Sequence, residues 1–333
     1  MNKFILIFVF ALVACELDND IMIFQYFQKF IKKYQKKYNS VNEYLARYEV
    51  FKRNIMITLQ EKPSSYSTGI TKFSDLTQQE FARIYLNLNY DAIAATNFNP
   101  YIVKPTNAAP DAFDWRDRGC VSRVQDQGSC GSCWAFATCA NLEGLYCLEK
   151  RILLDLSEQM LIDCDTLDSG CNGGLMEYAF TWLKQNGIMK EEDYPYTGYK
   201  GTCKYDRSKT IDMKVTGYKK LGSSSSTWSP VDEEEIKEFL YATCPLSVAL
   251  NANLLQTYTG GILDVPSSKC PTSGINHAVT LVGYGYDNAL GKDYWTCKNS
   301  WGQNWGESGY FRIKRGSGTC GINNYITTAT VSF

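Results

Sequence analysis

The stretch Gln127–Phe136 reads QGSCGSCWAF and holds two cysteines three positions apart. Gly131 and Ser132 predict a turn, and the small residues from Cys133 to Leu148 predict a helix. A cysteine where a turn meets a helix has its thiolate stabilised by the helix N-terminus. The stretch therefore predicts a reactive Cys133 at the start of a helix.

A C-x-x-C pair also has two other interpretations, a thioredoxin-like redox motif and half of a zinc site. No second C-x-x-C occurs, and Cys164 and Cys171 are seven positions apart. His277 is the only histidine, which excludes two-histidine zinc sites. We therefore expect no metal and no cofactor. A thiol–disulfide oxidoreductase stays as an alternative that requires Cys130 and Cys133 to cycle.

The composition is that of a globular protein, with 44% hydrophobic and 21% charged residues in 333. A net charge of −1 gives no indication of nucleic-acid binding. Residues 1–15 carry Lys3 and then a short apolar run, which predicts a secretory signal peptide. After its removal we expect no membrane segment, and a location in the secretory pathway, in a lysosome or vacuole or outside the cell.

The cysteines divide the chain. Of the 13, one is Cys15 and the others lie at or beyond Cys120, so residues 16–108 contain none. Residues 16–108 have a net positive charge and residues 109–333 a net negative charge, which would help the two parts to dock. A secretory route permits disulfides in the second part.

The hydrophobic pattern predicts helices first and strands later. Ile23–Glu61 is predicted as two helices, with Ser40 capping the second, and residues 86–109 as an extended linker. Ser229 and Pro230 predict the start of a helix that runs through the following acidic residues. Short Val-rich and aromatic segments dominate the last third, so we predict an α+β fold with two subdomains.

Residues far from Cys133 supply complementary chemistry. His277 could form an ion pair with the thiolate and act as the general acid and base. Asn299 could orient the imidazole, and Trp301 could shield that contact from water. The side-chain amide of Gln127 could join the backbone amide of Cys133 in an oxyanion hole.

QGSCGSCWAF, NHAVTLVGYG and KNSWG together resemble the papain family of cysteine proteases, with His277 and Asn299 lying 144 and 166 residues after Cys133. DWRDRGCV, LSEQMLIDC, GCNGGLMEYAF and NWGESGYFRIKRG follow in family order. The resemblance covers cathepsin L-like and cathepsin F-like members and leaves the subfamily open.

The first segment resembles the inhibitory prosegment of the same family. Glu43, Arg47, Phe51 and Asn54 match four positions of its ERFNIN pattern, and GITKFSDLT resembles its second motif. The resemblance implies a signal peptide at 1–15, a propeptide at 16–108 and a peptidase domain at 109–333. It implies a papain-like fold with a helical half, a β-barrel-like half and a helical inhibitory prosegment.

The family assigns roles to residues by position. Cys133 would be the nucleophile, with His277, Asn299 and Gln127 in the roles given above. Two further groups follow from the resemblance. The substrate-binding positions are Gly173, Gly174, Leu175, Met176, Ala249, Ala278 and Tyr325. The implied disulfides are Cys130–Cys171, Cys164–Cys203 and Cys270–Cys320, and the cysteines without family partners are Cys120, Cys139, Cys147, Cys244 and Cys297, among which one more bridge is open.

The function implied is a cysteine endopeptidase made as a zymogen. The apolar pocket, with Tyr325 at its floor, implies Leu or Val at the second position before the scissile bond. Dipeptidyl carboxypeptidase activity needs two histidines in an inserted loop and is excluded. The expected partners are protein substrates, the chain's own propeptide and cystatin-like inhibitors, with the protein a monomer and acid favouring activation. The alternative is a catalytically silent relative that serves as a binding protein.

Overall fold

The computed structural model describes most of the chain. The described residues are 19–60, 65–88, 101–103, 108–222 and 230–333. The predicted signal peptide and most of the predicted linker therefore lie outside the described residues. The predicted cap Ser229 lies outside them as well.

The first segment contains three helices: α1 at residues 19–34, α2 at Val41–Gln60 and α3 at Gln78–Tyr85. The predicted break between α1 and α2 is present. Ser40 caps α2 as predicted, because its Oγ accepts the N–H of Glu43 at 3.1 Å. The two helices pack through a small apolar cluster of their own. Its buried members are Ile23, Phe27, Phe30, Phe51 and Ile55.

Four further helices belong to the body. They are α4 at Cys133–Lys150, α5 at Glu158–Cys164, α6 at Met176–Asn186 and α7 at Glu233–Ala242. Gly187 ends α6 with a φ of 75°, as its glycine predicts. The predicted start of α7 was wrong. The helix begins at Glu233, because the side chain of Asp232 accepts the N–H of Glu234 and caps it.

The strands form one mixed sheet. Their bounds are β1 Tyr66–Thr68, β2 Phe113–Asp114, β3 Lys214–Lys220, β4 Leu246–Leu250, β5 Tyr258–Leu263, β6 His277–Asp287, β7 Lys292–Lys298, β8 Tyr310–Lys314 and β9 Tyr325–Ser332. The order is β1-β5-β8-β7-β6-β4-β9-β3, with β2 beside β6. Among the described strands this path is open, so the sheet does not close into a barrel. The α+β class is confirmed, and the barrel-like half is an open sheet.

Helix α4 is buried over most of its length and contacts β4 and β6. Cys133, its first residue, lies close to the start of β6 at His277, because the backbone of Ala278 hydrogen-bonds to Cys133. One apolar cluster surrounds α4, and a second fills the sheet side. The fold thus brings the N-terminus of a helix and the end of a strand together, although 144 positions separate them in the sequence.

Four disulfides tie the body together. The bridges are Cys120–Cys147, Cys130–Cys171, Cys164–Cys203 and Cys270–Cys320. Three are the pairs that the family resemblance implies, and Cys120–Cys147 is the additional bridge that the sequence left open. Cys139, Cys244 and Cys297 are buried free thiols.

Candidate active site

Cys133 lies at the N-terminus of α4, as the sequence predicts. Its thiol is free and its side chain is fully buried. The loop before it is held in place because Cys130 is bonded to Cys171, and the N–H of Gly131 donates to the carbonyl of Cys171 at 2.9 Å. With Cys130 in a disulfide, Cys133 has no partner for the redox cycle of the oxidoreductase alternative.

His277 lies between Asn299 and Trp301. Its Nε2 atom forms a 2.8 Å hydrogen bond with Asn299 Oδ1, and its ring stacks on the Trp301 indole at 4.7 Å. The Nδ1 atom is buried and makes no hydrogen bond of ordinary geometry with the described residues. The amide of Asn299 therefore fixes one nitrogen of the imidazole and leaves the other for a reacting group.

Gln127 links the cysteine loop to the segment after β7 that carries Asn299. Its Nε2 donates to the carbonyl of Cys130 at 2.8 Å, and its Oε1 accepts from Ser300 Oγ at 2.7 Å. The hydroxyl of Tyr196 donates to the Gln127 carbonyl at 2.7 Å. The sequence analysis missed both Ser300 and Tyr196. Both lie in stretches that fall in family order, Ser300 in KNSWG and Tyr196 in YPY, but the resemblance gave neither residue a role.

Residues Tyr85–Leu88 of the first segment cross this site. The N–H of Leu88 donates to the carbonyl of Asn276 at 3.1 Å, and Leu88 pairs with Gly174 in a parallel bridge. A Cβ at Gly173 would lie 2.2 Å from the carbonyl oxygen of Asn87, so only glycine allows the chain this close. The two glycines therefore form a backbone surface against which an extended peptide lies.

An aromatic contact holds the first segment on Trp301. Phe73 and Phe81 meet the indole edge-to-face, with centroids 5.0 and 5.4 Å away. Tyr85 packs against Phe73 at 4.6 Å. An ion pair at the edge of this contact also joins the first segment to the body: Lys72 Nζ lies 2.7 Å from Asp126 Oδ2. The residue that shields the His277–Asn299 contact is thus also the docking surface of the first segment.

Burial changes both titratable groups. It raises the pKa of the Cys133 thiol to about 11, against backbone hydrogen bonds that favour the thiolate. Burial lowers the pKa of His277 to about 4. The hydrogen bond with Asn299 and a smaller contribution from the backbone of Tyr85 act in the opposite direction and raise this pKa. At neutral pH this form therefore holds a thiol and an uncharged imidazole.

The predicted substrate-pocket residues lie together in one apolar cluster with Leu88. Ala249 is paired with Ala278 on β6 and with Tyr325 on β9, which places all three side by side in the sheet. Leu88 is 7% exposed. A leucine side chain of the first segment thus lies in the same apolar cluster as the residues that the family resemblance assigns to the pocket. The members of this group are Leu175, Met176, Ala249, Ala278 and Tyr325.

A buried ion pair lies next to Tyr325. Lys220 Nζ is 3.1 Å from Glu177 Oε1 and 4.5 Å from the centroid of the Tyr325 ring. Both charged side chains are 2% exposed. Removing either partner would leave a buried charge, so the pair holds Tyr325 in place. The sequence analysis missed this pair because its partners lie 43 positions apart.

No group of three or more His, Cys, Asp or Glu side chains in the described parts of the chain could hold a metal ion. The search for membrane-spanning helices over the same residues found none with the necessary length and apolarity.

Comparison with known proteins gives two family matches. The family model for papain family cysteine proteases matches residues 109–330, and that for the cathepsin propeptide inhibitor domain matches residues 27–81. Cysteine proteinase 15A of Pisum sativum is 41% identical over 326 residues, with 92% of this chain and 86% of that protein covered. A viral cathepsin of Rachiplusia ou multiple nucleopolyhedrovirus is 36% identical over the full length of both chains.

Solved structures of precursors are similar as well. Digestive procathepsin L 3 from the larval midgut of Tenebrio molitor superimposes with a TM-score of 0.82 at 34% identity, covering 92% of this chain and 99% of that one. The recombinant stem bromelain precursor gives a TM-score of 0.80 at 34% identity, with 92% and 98% covered. The similarity thus extends over the first segment and the body together.

Proposed function

The chain belongs to the papain family of cysteine proteases and carries the cathepsin propeptide inhibitor domain, and we propose that it is an endopeptidase with Cys133 as its nucleophile. The observation that carries this proposal is the group around His277. Asn299 holds its Nε2 atom, Trp301 covers the contact, and Nδ1 stays open for the thiol of Cys133 at the start of α4. The boundaries 16–108 for the propeptide and 109–333 for the peptidase domain are part of the proposal.

The prosegment blocks this chemistry in two ways. Residues Tyr85–Leu88 cover the site, and their burial of Cys133 and His277 moves both pKa values away from the ion-pair state. Removing the prosegment would return solvent to the cleft, which favours the charged forms of both groups. A thiolate and an imidazolium could then form at neutral pH.

In the mature enzyme the thiolate of Cys133 attacks the scissile carbonyl. The N–H of Cys133 and the Nε2 of Gln127 stabilise the oxyanion, and His277 protonates the leaving amine. The acyl-enzyme is then hydrolysed by a water molecule that His277 activates. The 3.4 Å contact between Gln127 Nε2 and the Tyr85 carbonyl supports this role, because it brings a peptide oxygen to the proposed oxyanion donor.

The substrate preference follows from Leu88. It belongs to the same buried apolar cluster as Met176, Ala278 and Tyr325 in the zymogen, which supports Leu or Val at the second position before the scissile bond. We further propose protein substrates, a monomeric state, inhibition by cystatin-like proteins, and a location in the secretory pathway, either lysosomal, vacuolar or extracellular.

Casein hydrolysis by the acid-processed protein tests the activity, with Cys133→Ser as the matched variant. We expect a loss of at least about 10⁴-fold in kcat for Cys133→Ser, since the nucleophile is removed. Equal activity of both proteins would contradict the assignment, and no activity in either would favour a silent binding protein. Dipeptide substrates with Leu, Val, Phe or Arg at the second position test the preference, which a clear selection of Arg would overturn.

A further inference from the structure

Glu238 on α7 binds the backbone at the junction between the propeptide and the peptidase domain. Its Oε1 accepts the N–H of Ala109 at 3.1 Å, and its Oε2 accepts the N–H of Ala108 at 3.3 Å. Glu238 is 8% exposed, whereas Ala108 is exposed and Ala109 half-buried. A buried carboxylate thus faces the nitrogen of a peptide bond whose other side is open to solvent.

We propose that Glu238 is the binding site for the α-ammonium group that processing creates at Ala109. The inference rests on the proposed zymogen function. Hydrolysis of the Ala108–Ala109 bond adds one water: the Ala108 carbonyl becomes a carboxylate and the Ala109 nitrogen becomes an ammonium. The contact between Ala109 and Glu238 then changes from a hydrogen bond of a neutral amide into a charge-assisted ion pair.

Charge acts in opposite directions on the two new ends. The ammonium at Ala109 is attracted by Glu238, and the carboxylate at Ala108 is repelled by it. The cut ends therefore separate, and the religation of the bond or rebinding of the departing end becomes less favourable. The carboxylate of Glu238 binds the intact junction in the zymogen. After cleavage it thus repels the propeptide end at Ala108 and binds the enzyme end at Ala109.

Several charged and titratable groups surround Glu238. The titratable groups on the elements around it are Glu234, Lys237, Tyr241, Tyr284 and Arg315. Lys237 contacts Glu234 at 3.4 Å, and Arg315 contacts both Glu234 and Asp293. Both basic groups therefore contact carboxylates other than that of Glu238.

The ion pair would fasten the first strand of the mature enzyme. Phe113 follows Ala109 by four residues and is paired with Tyr284 in the β2–β6 ladder. A two-residue strand at a chain terminus frays easily unless the terminus is held. Capture of the ammonium by Glu238 therefore stabilises β2 against β6 after the propeptide has left.

The pH dependence follows from the sign of the shift. An α-amino group has an ordinary pKa of about 7.7 to 8.0, and a carboxylate partner raises that pKa in the folded enzyme. While Glu238 is ionised, the stabilisation is therefore present below about pH 7.7, and it is lost as the pH rises through the raised value. The zymogen lacks this transition because its Ala109 nitrogen is an amide.

Competitive acetylation of the α-amine tests the proposal. Mature protein with Cys133→Ser, cut by active wild-type enzyme, is stable against self-digestion, and mass spectrometry identifies its first residue. Below the pKa, each unit by which that pKa is raised lowers the fraction of free amine tenfold. At pH 7 we expect Ala109 to be acetylated about tenfold faster after Glu238→Gln, with Glu235→Gln as the matched control on the same helix.

Equal acetylation rates for the parent protein and Glu238→Gln would overturn the proposal, as would an N-terminus at a residue other than Ala109. If Glu238→Gln does not fold, the pH dependence of acetylation in the parent protein decides alone: a pKa at or below about 8 contradicts the ion pair. Casein hydrolysis by the wild-type enzyme judges the proposed function separately, because the ion pair is not needed for the chemistry at Cys133.

Discussion

The prosegment and the body of this protein are stabilised in different ways. The described prosegment helices α1 and α2 pack around five buried apolar side chains, and residues 16–108 contain no cysteine. The body has two large apolar clusters and four disulfides. No disulfide joins the described prosegment to the body, and the prosegment docks through β1 paired with β5, through Phe73 and Phe81 on Trp301, and through Leu88 in the apolar cluster around α4.

This difference suits a removable inhibitor on a durable enzyme. Disulfides constrain the unfolded body whether or not the prosegment is bound. The contacts at Trp301 and in the pocket, in contrast, are lost once the prosegment opens. Four substitutions distinguish the two kinds of stabilisation, and their expected effects decrease in the order given.

Removing the Cys120–Cys147 bridge should weaken the body alone. The bridge closes a loop over 27 positions, for which the chain-entropy relation gives about 3.5 kcal/mol. We expect the double substitution Cys120→Ala and Cys147→Ala to lower the free energy of unfolding of the mature body by that amount, measured in denaturant on the Cys133→Ser background. Cys139→Ala is the control for a free buried thiol. A loss no larger than that of the control would contradict the prediction.

Phe73→Ala should open the prosegment without harming the body. Phe73 is fully buried between Phe81, Tyr85 and Trp301, and truncating a buried phenylalanine costs about 3 kcal/mol or more. We expect a small thiol reagent to label Cys133 in the full-length zymogen on the order of 100-fold faster. Phe24→Ala is the control, since Phe24 is exposed and contacts only the prosegment residue Tyr48 in its aromatic pairing. Unchanged labelling would place the docking energy elsewhere.

Tyr325→Ala should change the substrate preference of the mature enzyme, because it would deepen the pocket that we propose for the substrate and that Leu88 of the prosegment would occupy in the zymogen. A deeper pocket favours a larger side chain, and such changes are worth about tenfold or more in kcat/KM. We expect the ratio of kcat/KM for Phe over Leu at the second position to rise by about tenfold. Tyr286→Ala, at an exposed tyrosine of β6, is the control. If the ratio stays constant, Tyr325 does not form the floor of the pocket.

Glu80→Gln should have the smallest effect of the four substitutions, an increase in the rate of zymogen processing that is confined to a defined pH range. A hydrogen bond from Arg47 at 2.8 Å, opposed by burial and supported by Thr77, lowers the pKa of Glu80 to about 2. Its stabilisation is present above the unfolded value of about 4.3 and is lost as the pH falls toward 2. We expect processing at pH 5 to 7 to become up to about fivefold faster, because the exposed pair contributes about 0.2–1 kcal/mol.

Glu49→Gln is the control, since Glu49 is an exposed residue of the same helix as Arg47. A zymogen that is processed equally fast with Glu80 and with Gln at this position would show that the ion pair does not contribute to latency. Equal processing of the wild-type zymogen at pH 7 and pH 4.5 would contradict acid activation as a whole.

Local patterns predicted much of the fold because their causes are local. Ser40 and Glu43 lie three positions apart, so their capping contact could be anticipated from the sequence and is present. The start of α7 was placed too early because Pro230 was favoured as a first-turn residue, whereas Asp232 makes the capping contact. Two plausible caps close together cannot be ranked without the path of the chain.

The chemistry proposed for this protein could be predicted from the sequence alone. The motifs around Cys133, His277 and Asn299 specify the residue types and the helix start that a thiol protease requires, and they do so through short-range order. The tertiary structure alone decided the fourth disulfide, the Lys220–Glu177 pair and the contact of Glu238 with Ala109. It also decided the pKa values of Cys133 and His277, because burial depends on which distant segments cover a group, and spacing along the chain does not encode that.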